Sequence, residues 1–182
     1  LEGASPNQGV YINNDKESTL DTGIMLTNDT SCTLEMLVRG YSIYDQGTNV
    51  FYLSTCNKRT QPIDIGFSIN NTNKTIGADF RNGTDFIKAF SSDTSYTSDT
   101  WVHIIATYDS INGIIETFIN GESVATQTVP KNITHSSNVS INIDKIALAR
   151  VVIGMIRVYD GKALNSNEVQ ANYLYEKNKR SF

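Results

Sequence analysis

The sequence has few of the residues that mark metal-binding or membrane-spanning proteins. Its 182 residues include only 2 cysteines, 2 histidines, 3 prolines and 1 tryptophan. No Cys-x-x-Cys pair is present, so the spacing typical of structural zinc sites is missing. No apolar run approaches the roughly 20 residues of a membrane-spanning helix. These absences argue against a zinc framework and predict no insertion into a membrane.

The chain also lacks blocks of one charge. It carries 19 acidic and 15 basic residues, a net charge of -4 at pH 7. Nucleic-acid-binding domains normally show a basic patch, so no nucleic-acid partner is predicted. The length fits one globular domain over residues 1–182. Because the chain opens with Leu1-Glu2-Gly3 rather than methionine, we expect it to be excised from a larger protein.

What the sequence has in abundance is β-strand pattern. Between Trp101 and Val129 lie three β-branched, apolar runs, Trp101–Tyr108, Ile114–Ile119 and Ser123–Val129. The last two are joined by Asn120-Gly121, a dipeptide that favours the tight turn of a β-hairpin. The stretch therefore predicts a three-stranded antiparallel meander. Because Trp101–Tyr108 is apolar on both faces, we expect it to be a central strand covered on both sides.

Three segments resemble the laminin G-like group of concanavalin A-like domains. The first is the aromatic-His-apolar opening and Thr-Tyr-Asp close of the strand at Trp101. Ile153–Tyr173 (IGMIRVYDGKALNSNEVQANY) resembles the group's last strand and closing segment, and Cys32–Arg39 (CTLEMLVR) resembles an early strand. The resemblance implies an all-β fold, a jelly-roll sandwich of two antiparallel sheets with one short C-terminal helix. The ending YEKNKRSF resembles laminin G-like domains that terminate bacterial and bacteriophage structural proteins.

An early hairpin is predicted around the two cysteines. Cys32–Tyr44 and Val50–Thr55 have strand patterns on either side of a turn at Asp45-Gln46-Gly47. Alternation of apolar and polar residues in the first strand predicts that only one of its faces is buried. Across such a hairpin Cys32 and Cys56 would lie nearly opposite each other. Two readings stay open: a cross-strand disulfide in an oxidising compartment, or two reduced, partly buried thiols.

One helix is predicted at the C-terminus. Asn165 can cap it, with Glu168 as the reciprocal partner, and Leu164 can pack on Val169 as a hydrophobic staple. We expect this helix to form a lid on one sheet edge.

The catalytic pattern of glucanases with this fold is absent. Their carboxylates alternate along one strand as Glu-x-Asp-x-x-Glu, whereas the acidic pair at that spacing here, Asp15 and Glu17, falls in a predicted turn. His103 lies inside the apolar central strand and is interpreted as a satisfied core histidine. His135 lies in a polar segment and is interpreted as an exposed loop residue. No enzymatic activity is predicted.

Binding remains as the predicted role. Lectin-like members of the fold stack sugars on aromatic rings and bind hydroxyls with planar polar groups. The candidate ligand-binding residues of this type lie around two predicted hairpins: Tyr41, Tyr44, Asp45, Asn49, Tyr52, Asp79, Arg81 and Asp85. They predict a non-catalytic, lectin-like module of a bacterial or bacteriophage surface protein, extracellular or on a virion, that adheres to a glycan or cell-surface polysaccharide. The alternative is a structural or protein–protein adhesion module, held by neighbouring subunits on a virion or cell surface.

The resemblance also implies a calcium ion, because many laminin G-like domains hold one on loop carboxylates and carbonyls. Calcium needs six to eight oxygen ligands. Asp45, Asp109 and Asp144 lie near predicted loops, but no contiguous calcium-loop pattern is present. Calcium is therefore kept as a candidate cofactor without an assigned ligand set.

Overall fold

A computed structural model describes residues 10–13, 18–26, 31–40, 51–54, 63–70, 75–82, 85–91, 100–132, 139–145, 150–180 and 182. Side chains are described within 31–39, 76–78, 80, 87–89, 91, 100–132, 152–180 and 182. The described residues form twelve strands and one helix. The elements are β1 Val10–Asn13, β2 Ser18–Leu26, β3 Cys32–Gly40, β4 Phe51–Ser54, β5 Ile63–Asn70, β6 Thr75–Asn82, β7 Asp85–Phe90, β8 Trp101–Asp109, β9 Ile114–Ile119, β10 Glu122–Thr128, β11 Val139–Lys145, β12 Arg150–Asp160 and α1 Ser166–Arg180.

The strands form two sheets of six. Sheet A has the order β1-β12-β3-β8-β9-β10, and sheet B has the order β2-β11-β4-β5-β6-β7. Every strand pairing is antiparallel. This confirms the predicted all-β sandwich of two antiparallel sheets with a C-terminal helix.

The inner core fills the space between the sheets. It takes alternate residues from the facing strands, because successive side chains of a strand lie on opposite faces. Phe80 of sheet B meets Tyr108 of sheet A with ring centroids 5.4 Å apart. The buried members of this cluster are Cys32, Leu34, Met36, Val38, Ile76, Ala78, Phe80, Ala89, Val102, Ile104, Ala106, Tyr108, Ile115, Val129 and Ile153.

Strand β8 is central, as its two apolar faces predicted. It lies between β3 and β9, and every residue from Val102 to Thr107 is buried. Ile104 belongs to the inner core, whereas Ile105 belongs to a second apolar cluster on the outer face of sheet A. The predicted meander is also confirmed, since β9 pairs with both β8 and β10.

The turn between β9 and β10 needs glycine for two reasons. Asn120 has φ 52° and Gly121 has φ 87°, the positive values of the predicted tight hairpin. A Cβ on Gly121 would clash with Gln170 Oε1 and lie 2.9 Å from Tyr173 Cδ1, both on α1. The turn therefore packs directly against the helix, and any side chain at position 121 would force the side chains of Gln170 and Tyr173 to shift.

We expect Gly121→Ala to lower the free energy of unfolding by about 1–3 kcal/mol more than Gly161→Ala does, because it adds overpacking to backbone strain. Gly161 is the matched control, since it also has positive φ, at 76°, but is exposed. Urea denaturation of the two variants measures the difference. Equal losses would mean that the contact with α1 contributes nothing.

The predicted hairpin around the cysteines is wrong. β3 pairs with β12 and β8 in sheet A, whereas β4 pairs with β11 and β5 in sheet B. The chain thus crosses from one sheet to the other after β3, so the opposition of Cys32 and Cys56 that rested on this hairpin is removed. Cys32 is a buried free thiol, and burial together with the charge of Asp160 raises its pKa to about 12. Cys56 lies outside the described residues.

The predicted capping of the helix is confirmed. Asn165 Oδ1 accepts hydrogen bonds from the backbone N–H groups of Asn167 (3.0 Å) and Glu168 (3.1 Å), and Glu168 Oε2 accepts one from the backbone N–H of Asn165 (3.0 Å). Leu164 and Val169 lie in the same buried cluster, as expected for a hydrophobic staple.

Two predictions are wrong: the position of the helix on a sheet edge, and the burial of β3 on only one face. α1 contacts side chains of β12, β3, β8 and β9, so it lies across the middle of the outer face of sheet A rather than on an edge. Because the helix covers this face, β3 is buried on both sides: Thr33, Glu35 and Leu37 are each 0% exposed.

Candidate functional site

A polar cluster lies between α1 and sheet A. We call it the sub-helix network, and its members are Glu35, His103, Arg157, Tyr159, Asn172, Glu176 and Arg180. Three strands and the helix contribute to it. The network therefore joins the helix to the sheet through side chains that are far apart in the sequence.

Glu35 is the centre of the network. Its Oε1 lies 2.8 Å from His103 Nε2 and accepts a hydrogen bond of 2.8 Å from Arg157 NH1. Its Oε2 accepts hydrogen bonds from Tyr159 Oη (3.1 Å) and Asn172 Nδ2 (2.9 Å). A carboxylate with 0% exposure is thus surrounded by four partners, as a buried charge requires.

Arg157 links two buried carboxylates. Its NH1 donates to Glu35 and its NH2 donates to Glu176, which is also 0% exposed. Arg180 then donates from Nε to Glu176 Oε2 at 3.1 Å and from NH2 to the Gly154 carbonyl oxygen at 2.6 Å. Two arginines therefore balance two glutamates beneath the helix.

These contacts change the pKa values of the network. Burial alone would raise the pKa of Glu35, but the hydrogen bond and charge of His103, together with Arg157 and Tyr159, outweigh it and lower that pKa below 4.5. The pKa of Tyr159 is raised, by burial first and then by the charge of Glu35. Burial would lower the pKa of Arg157, but Glu35 and Glu176 outweigh it and raise that pKa. The network is thus built around an ionised Glu35.

His103 lies in the core, as its place in the apolar strand predicted, but it is not fully satisfied as predicted. It is 1% exposed, and Tyr173 of α1 stacks on its ring with centroids 5.9 Å apart. Its Nδ1 has no hydrogen-bond partner, and Arg180 NH1 is also buried without one. Because Glu35 and His103 are both closed off from solvent, this acid–histidine pair cannot reach a substrate, and its role is structural.

The sub-helix network is not predicted by the sequence pattern. One signal was present: Glu35 and Arg157 interrupt two of the most apolar strands of the chain. A charged residue in the middle of such a strand needs a partner if the strand is buried on both faces. The charged residues alone do not show that a helix covers the outer face of sheet A and so buries the second face of these strands.

The outer face of sheet B carries part of the predicted binding set. Residues of β6 alternate between faces, and Ala78 and Phe80 belong to the inner core. Asp79 and Arg81 therefore occupy positions on the opposite face of the strand. These positions lie on the side of sheet B that faces away from sheet A.

The strand register adds Tyr52 to the same face. Tyr52 pairs with Ser68, and Ser68 pairs with Gly77, which shares the alternate positions of Asp79. Asp85 pairs with Asn82 at the end of the β6–β7 hairpin, at a position that alternates onto the inner face of the sheet. The structure thus brings three of the eight candidates onto one face and leaves Asp85 at its end.

The remaining four candidates are not covered by the structure. All four belong to the segment that was wrongly predicted as a hairpin, and all lie outside the described residues: Tyr41, Tyr44, Asp45 and Asn49. The histidine predicted in a loop, His135, also lies outside them. These five residues keep the status of predictions.

The candidate calcium ligands give no assembled site within the described residues, which contain no group of three or more His, Cys, Asp or Glu side chains suited to a metal. Asp109 is occupied by its own turn: Oδ1 accepts from the backbone N–H of Ile111 (3.0 Å) and Asn112 (3.1 Å), and Oδ2 accepts from Asn112 Nδ2 (2.6 Å). Asp45 is not described, and the side chain of Asp144 is not described. Calcium stays a hypothesis.

An exposed aromatic residue lies on α1, where none was predicted to bind. Tyr175 is 58% exposed, and its neighbour Leu174 is 45% exposed. The Cζ of Arg157 and the Nζ of Lys179 lie 5.8 Å and 5.7 Å from the Tyr175 ring centroid. The helix itself is too short and too polar to span a bilayer, and the described part of the chain contains no other candidate for a membrane span.

Two six-stranded antiparallel sheets around one core define the class of this protein as a jelly-roll sandwich. More particularly, the chain belongs to the concanavalin A-like lectin/glucanases superfamily, whose family model matches residues 8–170. Among curated protein sequences none matches the chain.

Several solved structures share this fold at low sequence identity. The CBM40 module of Ruminococcus gnavus IT-sialidase, bound to α2,3-sialyllactose, is 15% identical with a TM-score of 0.66, covering 93% of this chain and 100% of that one. A heptameric SAP-like pentraxin from Limulus polyphemus is 10% identical with a TM-score of 0.65, covering 92% and 82%. The carbohydrate-binding module CBM66 from Bacillus subtilis is 8% identical with a TM-score of 0.54, covering 85% and 93%.

Proposed function

We propose that this domain is a non-catalytic, lectin-like module that binds glycans, as part of an extracellular surface or structural protein of a bacterium or bacteriophage. The observation that carries the proposal is the shared face of Tyr52, Asp79 and Arg81 on sheet B. A tyrosine, an aspartate and an arginine at positions of one face are the residue types that sugar recognition uses. The solved carbohydrate-binding modules of the same fold support the assignment.

The two outer faces of the sandwich differ in what they offer a ligand. On sheet A, α1 and the sub-helix network close the middle of the face with side chains such as Glu35 at 0% exposure. On sheet B, polar and aromatic candidates occupy the outward positions of β4 and β6. We therefore place the glycan site on sheet B.

The two buried glutamates of the sub-helix network do not supply the carboxylate pair of a glycosidase. The two glutamates that share Arg157 are both 0% exposed, and each is held in the sub-helix network. A retaining glycosidase needs two carboxyl groups that both reach the sugar. Glu35 and Glu176 do not meet this requirement.

The test is a glycan array, followed by calorimetry on the best ligand. We expect affinity in the millimolar to micromolar range, typical of a shallow site with few contacts. Tyr52→Ala should weaken binding roughly fivefold to tenfold by removing the stacking ring. Tyr52→Phe keeps the ring and should bind like the parent protein. Binding unchanged in Tyr52→Ala would move the site away from this face.

The second candidate is a structural or protein–protein adhesion module. It is favoured by β10, an edge strand of sheet A whose residues are exposed except for the partly buried Ala125. An exposed edge offers unpaired backbone groups to another chain. Ultracentrifugation decides between the two: association that depends on concentration, with no response on the array, would favour this candidate over the lectin.

A further inference from the structure

We propose that Tyr175, Lys179 and Arg157 form a second binding site, on the outer surface of α1, for saccharides that carry a carboxylate. The site is distinct from the face of sheet B. It rests on the proposed function only in that its ligand is a sugar. We call these three residues the α1 platform.

The exposure of Tyr175 makes its ring available. At 58% exposure it is the most exposed aromatic side chain among the large apolar residues of the described chain. The two cationic groups lie 5.7 and 5.8 Å from its centroid, close to the limit of roughly 6 Å for a cation–π contact. Both cations lie over the ring rather than beside it, but the residue keeps 58% exposure, so part of the ring surface remains open for the apolar face of a sugar.

Arg157 is held in place before any ligand arrives. Its guanidinium donates to Glu35 and Glu176, both buried, while its side chain remains 30% exposed. A guanidinium has five N–H groups in a rigid plane, which suits the recognition of carboxylates. The buried carboxylates thus orient the arginine that borders Tyr175.

The charge around the ring is positive in an otherwise acidic chain. In the sub-helix network, Arg157 and Arg180 balance Glu35 and Glu176. The exposed Lys177 and Lys179 add two positive charges to this balance. No carboxylate of the described residues is within ion-pair distance of either lysine. In the second half of α1 the only acid is Glu176, which is buried, so an anion is favoured there while the whole chain has net charge -4.

The size of the platform favours a sugar over a protein partner. The large apolar side chains that α1 exposes are only Leu174 and Tyr175. A stable protein interface buries roughly 800 Å² on each partner, far more than one ring and its cations provide. One aromatic ring beside a positive charge matches a single acidic sugar residue.

The experiment measures binding of α2,3-sialyllactose by calorimetry, with lactose as the neutral control. We expect sialyllactose to bind at least tenfold more tightly than lactose. Its affinity should fall when the salt concentration is raised from 20 to 300 mM, because the Debye length shortens from roughly 22 Å to roughly 6 Å and surface charges are screened. Tyr175→Ala and Lys179→Gln should each weaken sialyllactose binding about fivefold or more. Leu174→Ala is the matched control, because it truncates an adjacent exposed apolar residue without a cation contact, and it should bind within about twofold of the parent protein.

Each other outcome overturns the proposal in a recognisable way. If Tyr175→Ala and Lys179→Gln bind sialyllactose like the parent protein while Tyr52→Ala does not, the acidic sugar binds sheet B, and the proposed function stands without the α1 platform. If a hexaglutamate peptide displaces sialyllactose at lower concentration than sialyllactose displaces itself, the surface recognises acidic peptides. If the parent protein binds no glycan at all, both the platform and the lectin assignment are wrong. Unchanged melting temperatures in the variants establish that these losses are losses of binding.

Discussion

Replacing Glu35 with alanine is expected to lower the free energy of unfolding by about 3–5 kcal/mol, a large fraction of the roughly 5–15 kcal/mol that stabilises a typical domain. The change removes the acceptor of four partners and leaves Arg157 beneath the helix with only one of its two carboxylates. The partners of Glu35 would then be buried donors without an acceptor, and such donors destabilise the folded state because they have lost their hydrogen bonds to water. Urea denaturation measures the loss, provided that the slope m is the same for the variant and the parent protein.

Two further variants control this result. Glu122→Ala removes an exposed glutamate on β10 and should change stability by no more than about 0.5 kcal/mol. Glu35→Gln keeps the size of the side chain but removes its charge, so its loss should be smaller than that of Glu35→Ala. If Glu35→Ala proved as harmless as Glu122→Ala, the network would not hold the helix.

The contribution of Glu35 should also depend on pH. Since its pKa in the folded protein is lowered below 4.5, its stabilising effect is complete above that value and is lost as pH falls through the folded pKa. The difference in unfolding free energy between the parent protein and Glu35→Gln should therefore be constant from pH 7 to about pH 5.5 and shrink below about pH 4.5. A difference that grew in acid would contradict an ionised Glu35.

Phe118→Ala is expected to cost about 3–5 kcal/mol, as much as a truncation in the inner core. Phe118 is 1% exposed and packs with Ile105, Leu164 and Val169 between sheet A and α1. This outer cluster has the burial of a core although it lies outside the sandwich. The large side chain would leave a cavity that the helix and the sheet cannot fully close.

Thermal and urea unfolding of two comparison variants calibrate that value. Phe80→Ala makes the equivalent change in the inner core, where Phe80 is 0% exposed, and Ile111→Ala shortens a side chain that is 73% exposed. We expect Phe118→Ala to resemble Phe80→Ala and to exceed Ile111→Ala by at least about 2 kcal/mol. A value near that of Ile111→Ala would show that the helix layer adds little stability.

Much of the fold could be predicted because its signals are local. The Asn120-Gly121 turn, the two apolar faces of Trp101–Tyr108 and the capping box at Asn165 each depend on residues close together in the sequence. In every one of these places the structure has the predicted element. Local propensity and tertiary packing agree there, as they do in most well-folded domains.

The errors arose where a feature depends on distant parts of the chain. A Gly-containing segment between two strands looks the same whether the strands pair or belong to different sheets, so the partner of β3 could not be derived. The polar residues of β3, Glu35 among them, looked solvent-facing because nothing local shows that α1 covers them. For the candidate site, the sequence pattern indicates residue types, whereas the register that brings Tyr52 and Asp79 to one face depends on the pairing of strands.

The order of strands in the two sheets also determines when the chain can fold. β1 pairs with β12, so that Val10 lies opposite Ile153, and β2 pairs with β11 near the other end of the chain. Neither N-terminal strand has another partner in the described sheets. During synthesis both must wait until most of the domain has left the ribosome, and sandwiches with such non-local pairing typically fold in milliseconds to seconds, roughly a thousandfold or more slower than helical bundles.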